Sequence, residues 1–376
     1  MRIGFDAKRA FYNTSGLGNY SRNTIKLLAN RYPDNQYLLY TPGINGRLDF
    51  ELPSGSHIEQ PQSSLGRYCG PCWRSVALSR RLVKDGIELY HGLSHDLPMN
   101  MAGSSIRKVV TIHDMIAFKY PEMFTAVNRY IYRKKITHSC RVADMIIAIS
   151  QQTKNDIQEF LDVDQSRVKL VYQACDPVFY QKADEETKAR VRTKYGLPSV
   201  FILSVGTIEP RKNLLSVIKA MHLGNIDTGL VVTGKKTSYI KTVYNTIQSL
   251  GIRNIHFLED VPVKDLAAIY QSAAIFVYPS LYEGFGIPVL EALSSGTPVI
   301  TSSGSCFSET AGCDSMYVDP LNNEELASSL NRVLTDSALR NKMISGGLKH
   351  AEFFQHNRIA ENLMAVYEST LKTNSL

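Results

Sequence analysis

Short apolar segments of strand length alternate with amphipathic segments of helix length along nearly the whole chain, and the alternation runs through twice. The first series reads as strands at Arg2–Asp6, Tyr37–Thr41, Glu88–His91, Lys108–His113, Met145–Ile149 and Val168–Val171. Helices at Asn19–Asn30, Cys72–Val83, Val127–Arg141 and Gln151–Phe160 fall between them. The second reads as strands at Val200–Val205, Gly229–Thr233, Asn254–Phe257, Ala274–Val277, Pro298–Thr301 and Ser315–Val318. Its helices are Leu214–Met221, Lys241–Leu250, Lys264–Ser272 and Pro288–Ser295, and three helical stretches near 323–335, 336–350 and 357–372 finish the chain. Several strands are continuously apolar, as expected when helices cover both faces of a parallel sheet. Two βαβ series of similar size predict an α/β protein of two doubly wound, Rossmann-like domains, 1–178 and 179–356, with 174–198 as linker and first helix. Ligands of such sheets bind outside the carboxyl ends of the strands, so the cleft between two facing domains is the natural site.

The 376 residues, 44% hydrophobic and 20% charged, have an ordinary globular composition. No apolar run approaches the ~18–20 residues of a membrane helix, and the N-terminus reads as a strand, without the marks of a signal peptide. A cytoplasmic location is therefore expected. The net charge of +7 is uneven: residues 1–175 carry 23 Lys and Arg against 15 Asp and Glu, and residues 176–376 carry 19 against 20. The excess is either a scattered solvated surface or a sign that an anionic partner meets the first half. No stripe of interleaved aromatic and basic residues points to nucleic acid. Cys69-Gly-Pro-Cys72 has the spelling of a redox pair, but a loop precedes it where a redox site needs a strand, and no second pair exists for zinc.

Chemistry concentrates in the second half. Glu283-Gly-Phe-Gly-Ile-Pro-Val-Leu-Glu291 lies between a strand and a helix. Gly284 and Gly286 let the backbone approach a ligand, and Pro288 presets a first helical turn whose free amides suit a diphosphate. The two glutamates could then accept bonds from sugar hydroxyls. Gly206-Thr-Ile-Glu-Pro-Arg211-Lys212-Asn213 also follows a strand, and its adjacent cations could neutralise a leaving diphosphate. In the first half, Ser15-Gly16-Leu-Gly18 opens a helix but lacks the third glycine of a dinucleotide loop. His113, beside Asp114 at a strand end, is either a buried structural histidine or a ligand contact. Asp162-Val-Asp164 has the spelling of a metal-binding pair but follows a helix, as turn aspartates do. His91 and His95 are four apart, yet Gly92 and Pro98 oppose the helix that would present both to a metal. No metal site is expected.

Together these segments resemble the retaining glycosyltransferases of family 4, which have the GT-B fold. The likeness rests on the Gly-Leu-Gly-Asn-Tyr loop, Ile-His113-Asp, Gly-Thr-Ile-Glu-Pro-Arg-Lys-Asn, Gly234-Lys-Lys, Glu283-x7-Glu291, Glu309 and Val318-Asp-Pro320. It implies that Arg211 and Lys212 bind the donor diphosphate with the backbone from Phe285 through Gly286 and Ile287 to Pro288. Gly206 and Gly284 would line the same donor site. Glu283 would meet the sugar hydroxyls, Glu291 the ribose, and the backbone near Val261 the nucleobase. His113 would lie beside the transferred sugar, with Gly16 and Gly18 near the phosphates or the acceptor. The last helix, 357–376, would cross back to the first domain.

The resemblance further implies a nucleotide-sugar donor, no cofactor, and front-face attack with the leaving phosphate assisting acceptor deprotonation. Glu283 as a nucleophile is the alternative suggested by retaining hydrolases. The wording of the motifs is similar to mannosyltransferases of polysaccharide assembly, which use GDP-mannose. UDP-linked glucose, galactose or N-acetylhexosamine, and an epimerase of the same fold, stay open. The acceptor would be a saccharide or a lipid-linked saccharide, with peripheral contact between the basic first half and an anionic membrane.

Overall fold

The computed structural model describes residues 1–14, 16–44, 50–62 and 68–372. Ser15 and the end of the last predicted helix, 373–376, lie outside them. The chain divides into two compact units, one of Met1–Gln173 with His356–Leu376 and one of Ala174–Gln355.

The first unit holds a sheet of seven strands, β1 (Arg2–Asp6), β2 (Gln36–Tyr40), β3 (Ser56–Glu59), β4 (Leu89–Gly92), β5 (Arg107–Ile112), β6 (Met145–Ala148) and β7 (Val168–Leu170). Their spatial order is β3-β2-β1-β4-β5-β6-β7, and every pairing is parallel. The order reverses between β1 and β4, which makes the carboxyl ends of those strands the switch point of the sheet. The second unit repeats the plan with β8 (Phe201–Val205), β9 (Gly229–Thr233), β10 (Ile255–Leu258), β11 (Ile275–Tyr278), β12 (Val299–Ser302) and β13 (Met316–Val318). Its order is β10-β9-β8-β11-β12-β13, again all parallel, with the switch between β8 and β11. The fold is thus two doubly wound α/β layers, as the two apolar series predict.

Strand ends fall within one residue of their predicted positions because fully buried parallel strands leave a plain apolar signal. β11, Ile-Phe-Val-Tyr, is buried at every position. β3 escaped the reading for the opposite reason: Ser-His-Ile-Glu is an edge strand with one aliphatic residue and no fully buried position. Short helices at Lys8–Tyr12, Ile116–Lys119 and Phe307–Ala311 were also not anticipated, since one turn carries no periodicity. The predicted helix Cys72–Val83 is a correction. It divides into a turn at Gly70–Cys72, a π-helical segment Trp73–Ala77 and an α-helix Leu78–Lys84. Met99 N–H bonds the Ser75 carbonyl at 2.8 Å, and the Asn100 amide bonds that of Val76 at 2.8 Å, so outside donors take carbonyls that a regular helix would use. Cys69 and Cys72 are joined by a disulfide. Arg74, inside the π segment, grips Asp6 at the end of β1 and lies 3.3 Å from Asp96.

The last helix, His356–Lys372, belongs to the first unit, as the resemblance implies. Tyr367 from that helix bonds His91 Nδ1 at 2.6 Å, fixing it to the middle of the first sheet.

Candidate active site

In the second unit the switch-point strands β8 and β11 bring two distant motifs together. The chain leaves β8 through Gly206, turns through a 3-10 segment Pro210–Lys212, and reaches Asn213 in a left-handed conformation, φ 58°. Asn213 pins this loop by donating to the carbonyls of Pro279 (3.1 Å) and Pro320 (2.7 Å), just past β11 and β13. Leu281 N–H bonds the Arg211 carbonyl at 2.9 Å. Held on both sides, Arg211 and Lys212 point at Glu283. Glu283 Oε1 receives Arg211 Nη1 at 2.7 Å, Lys212 Nζ at 2.5 Å, Ser280 Oγ at 2.7 Å and Tyr278 O–H at 3.0 Å. All four donors converge on one oxygen, so Oε2 is the one free of this cluster.

Burial alone would raise the Glu283 pKa, but the charges of Lys212 and Arg211 and their bonds outweigh it and hold the carboxyl at about 2. Glu283 is therefore ionised at any physiological pH. Burial pulls the Lys212 ammonium below its ordinary value, opposed by Glu283 and assisted by the charge of Arg211. The Arg211 guanidinium loses by burial but gains more from Glu283, and stays charged.

After Glu283, Gly286 takes a left-handed φ of 86° and opens the helix Ile287–Ser294, with Pro288 in its first turn. A side chain there would be strained, and its Cβ would lie 3.2 Å from the Phe307 ring. Ser305 ties the turn by donating to the Glu283 carbonyl at 3.0 Å, and the Phe285 carbonyl accepts from Thr310. The amides of the first helical turn and the two cations thus sit on one sheet edge. Glu291 is buried on this helix and accepts from Tyr270 O–H at 3.0 Å. Burial raises its pKa to about 7, with the Tyr270 bond pulling the other way. Val261 lies past β10, at the same carboxyl edge but two strands beyond β8, next to Asp260 with φ 51°.

The predicted residues of the first unit follow the carboxyl ends of β1 and β5. His113 directly follows β5 and donates from Nε2 to the Leu93 carbonyl at 2.8 Å; its ring stands edge-on to Tyr20 at 4.6 Å and lies 5.2 Å from His95. Burial and the neighbouring His95 lower its pKa to about 3, so the ring is neutral. Gly18 sits in the first turn of helix Gly16–Arg31, where a Cβ would fall 1.8 Å from the Asn13 carbonyl oxygen, whereas Gly16 has open space. His91 lies in β4 and His95 in the turn after it, with φ 62°, so no helix presents both. Asp164 caps a 3-10 turn by accepting from Ser166 N–H at 2.8 Å. Among the described residues, no group of three or more His, Cys, Asp or Glu could hold a metal ion.

Residues 14–179 match the profile described as Glycosyltransferase Family 4, and residues 185–350 match Glycosyl transferases group 1. The chain belongs to the family 4 glycosyltransferases. This glycosyltransferase is 28% identical, over 98% of its length and 100% of the relative's, to O-antigen chain mannosyltransferase B of Escherichia coli. Sucrose-phosphate synthase of Thermosynechococcus elongatus has the same GT-B fold, with a TM-score of 0.79 at 18% identity over 98% of each chain. So does HepE of Anabaena, solved with UDP and glucose, with a TM-score of 0.75 at 19% identity over 98% of this chain and 100% of that one.

Several residues around the transferase's charged cluster were not singled out in the sequence. Tyr278 ends a buried strand and reads as core, yet its hydroxyl bonds both Lys212 Nζ (2.5 Å) and Glu283. Ser280 and Ser305 carry no motif of their own. Asn213 was legible as part of the Arg-Lys-Asn wording, but its pinning role depends on two prolines far along the chain.

Proposed function

We propose that the chain transfers mannose from GDP-mannose, with retention of configuration, to a saccharide or lipid-linked acceptor in the assembly of a cell-surface polysaccharide. The observation that carries the reading is the convergence of Arg211, Lys212 and Glu283 at the switch point of the second sheet, beside the open end of a helix. Arg211 and Lys212 supply positive charge where a departing diphosphate becomes more negative, assisted by the amides of Ile287 and its neighbours. Because Oε1 of Glu283 is saturated with donors and the group is held ionised, Oε2 suits a hydroxyl of the sugar better than the anomeric carbon. Front-face attack, with the leaving phosphate drawing the acceptor's proton, fits that assignment. Glu291 accepts from the ribose, the backbone at Val261 meets the base, and His113, kept neutral, contacts the transferred sugar.

The charge on Arg211 and Lys212 replaces a metal in this scheme. Mannose and the polysaccharide setting are supported by the full-length similarity to an O-antigen mannosyltransferase. A UDP-sugar donor is the second reading, favoured by the UDP and glucose held in the structure of HepE. No helix of the described residues is long and apolar enough to cross a membrane, which is compatible with work at the cytoplasmic side. The test offers a panel of GDP- and UDP-sugars and measures nucleotide release with and without saccharide acceptors. Acceptor-dependent release from GDP-mannose supports the proposal. Release only from a UDP-sugar moves the assignment to the second reading, and isomerisation of the donor without acceptor removes transfer altogether.

A further inference from the structure

Past the carboxyl ends of β1 and β4, the first unit gathers more cations than its carboxylates pair with. Asp6, the last residue of β1, is gripped by Arg74. Asp96, beyond β4, is shared between Arg74 at 3.3 Å and Lys135 at 3.0 Å. Lys8 and Arg9, on the helical turn after β1, are partly buried, and neither side chain makes an ion pair or hydrogen bond with a described residue. Burial pulls the Lys8 ammonium below its ordinary value, and the charges of Arg74, Arg9 and Lys135 push the same way against Asp6. The charge of Arg9 is felt at His95, His113 and Tyr132. Asp114 acts on His113 and Tyr132 from the other side, and accepts from Ile116 N–H at 3.2 Å.

His95 adds an independent sign of a ligand. It takes a left-handed φ of 62°, is 5% exposed, and its Nδ1 has no hydrogen-bond partner among the described residues. Its ring lies 5.2 Å from that of His113 and 6.2 Å from that of Tyr132. Backbone strain and an orphaned buried nitrogen are costs that folds retain where a bound group answers them. A metal ion is a poor occupant, since Lys8 and Arg9 would repel it. The donor diphosphate, in the reading above, already has Arg211 and Lys212. We propose that Lys8, Arg9 and His95 form a subsite for the acceptor. Its two cations receive an oxyanion carried by the saccharide, a phosphate or a carboxylate, and His95 Nδ1 meets a neighbouring hydroxyl. The proposal rests on the transfer reading and narrows its acceptor to an acidic saccharide.

Binding is measured by calorimetry on the full chain, with GDP or UDP, whichever binds, held at saturation to occupy the donor site. The probes are mannose 1-phosphate, glucuronic acid, neutral methyl mannoside and inorganic phosphate. At least one acidic sugar should bind about tenfold tighter than methyl mannoside or inorganic phosphate, and which one does so tells phosphate from carboxylate. Arg9→Gln or Lys8→Gln should weaken the acidic sugars about tenfold and methyl mannoside little, and Arg9→Lys should recover part of the loss. His95→Phe keeps a ring in place and removes the unpaired nitrogen. It should weaken sugar binding while the melting temperature holds or rises. Acidic and neutral sugars binding alike, no sugar binding, or a His95→Phe variant that only loses stability would overturn the proposal. So would loss of nucleotide affinity in Arg9→Gln, which would put Arg9 at the donor, or inorganic phosphate binding as tightly as mannose 1-phosphate. If acidic sugars bind through Arg9 and no donor is turned over, the transfer reading fails and the anionic-sugar site stands. If transfer proceeds to neutral acceptors alone, the subsite falls and the transfer reading stands.

Discussion

The two units have nearly the same sheet plan, yet charge is placed differently at their strand ends. At β8 and β11 the loops deliver two cations and an ionised carboxylate packed on one another. At the first unit's own switch point Arg74 grips Asp6 at the end of β1, whereas the ends of β4 and β5 beside it carry histidines that burial keeps neutral. His91 bonds Thr111 at 2.8 Å and Tyr367, Tyr20 bonds Thr111 at 3.0 Å, and burial holds His91, His95 and His113 near a pKa of about 3. A parallel sheet thus fixes where a site can form without fixing its charge. The second unit sets two cations on one carboxylate at its strand ends, whereas the first pairs one cation with Asp6 and Asp96 and keeps its histidines neutral.

The largest effect should come from the charged side. Arg211→Ala or Lys212→Ala is expected to lower kcat by about 10²–10³-fold, the usual consequence of removing a positive group from a developing anion. His113→Ala should cost less, on the order of tenfold, because a neutral contact is lost. Steady-state kinetics on the three variants decide it, and equal losses at His113 and Arg211 would erase the contrast.

Next in size is a stability contrast within the first unit's glycine loop. Gly18→Ala forces a Cβ into the Asn13 carbonyl and should destabilise by about 1–3 kcal/mol. Gly16→Ala meets open space and should change stability by less than about 0.5 kcal/mol, as read from urea denaturation. A large loss at Gly16 would show that this turn is packed differently.

The two glutamates give a pH signature. Glu291, at about 7 when folded against an ordinary 4.5, contributes stability that is present below 4.5 and lost as pH rises through 7. Glu283, at about 2, contributes stability present above 4.5 and lost as pH falls toward 2. Melting temperatures across pH should therefore show Glu291→Gln gaining on the parent above neutrality. Glu283→Gln should fall below the parent above pH 4.5, with the gap closing in acid. Donor KM should also rise as pH drops below about 7, when Glu291 takes up a proton, and His113→Gln should leave that dependence in place. The smallest expected effect is none: EDTA should leave turnover unchanged, and strong loss would contradict a site that relies on Arg211 and Lys212 for charge.

Much of this molecule is legible because buried parallel strands are written as uninterrupted apolar runs and turns as glycine and proline. The elements that escaped are short or half-exposed, such as β3 and the π-helical segment at Trp73–Ala77, where pairing or distant donors override local preference. The site is legible in its members but not in its arrangement. Nothing in the order of residues says that Tyr278 would bridge Lys212 and Glu283. The exposure of Val127, Tyr130 and Ile131 was equally hidden, because an amphipathic pattern shows that a helix has two faces without showing which one the fold covers.

The sequence by itself determined two doubly wound series and placed each chemical motif after a strand, since period and turn chemistry are local properties. Tertiary structure alone decided that β8 lies beside β11. That pairing joins segments about seventy residues apart, and it sets four donors on a single oxygen of Glu283. Strand order arises from how helices pack across the sheet faces, a global balance of burial that no local stretch records. The same balance left Val127, Tyr130 and Ile131 of the basic helix 126–142 uncovered.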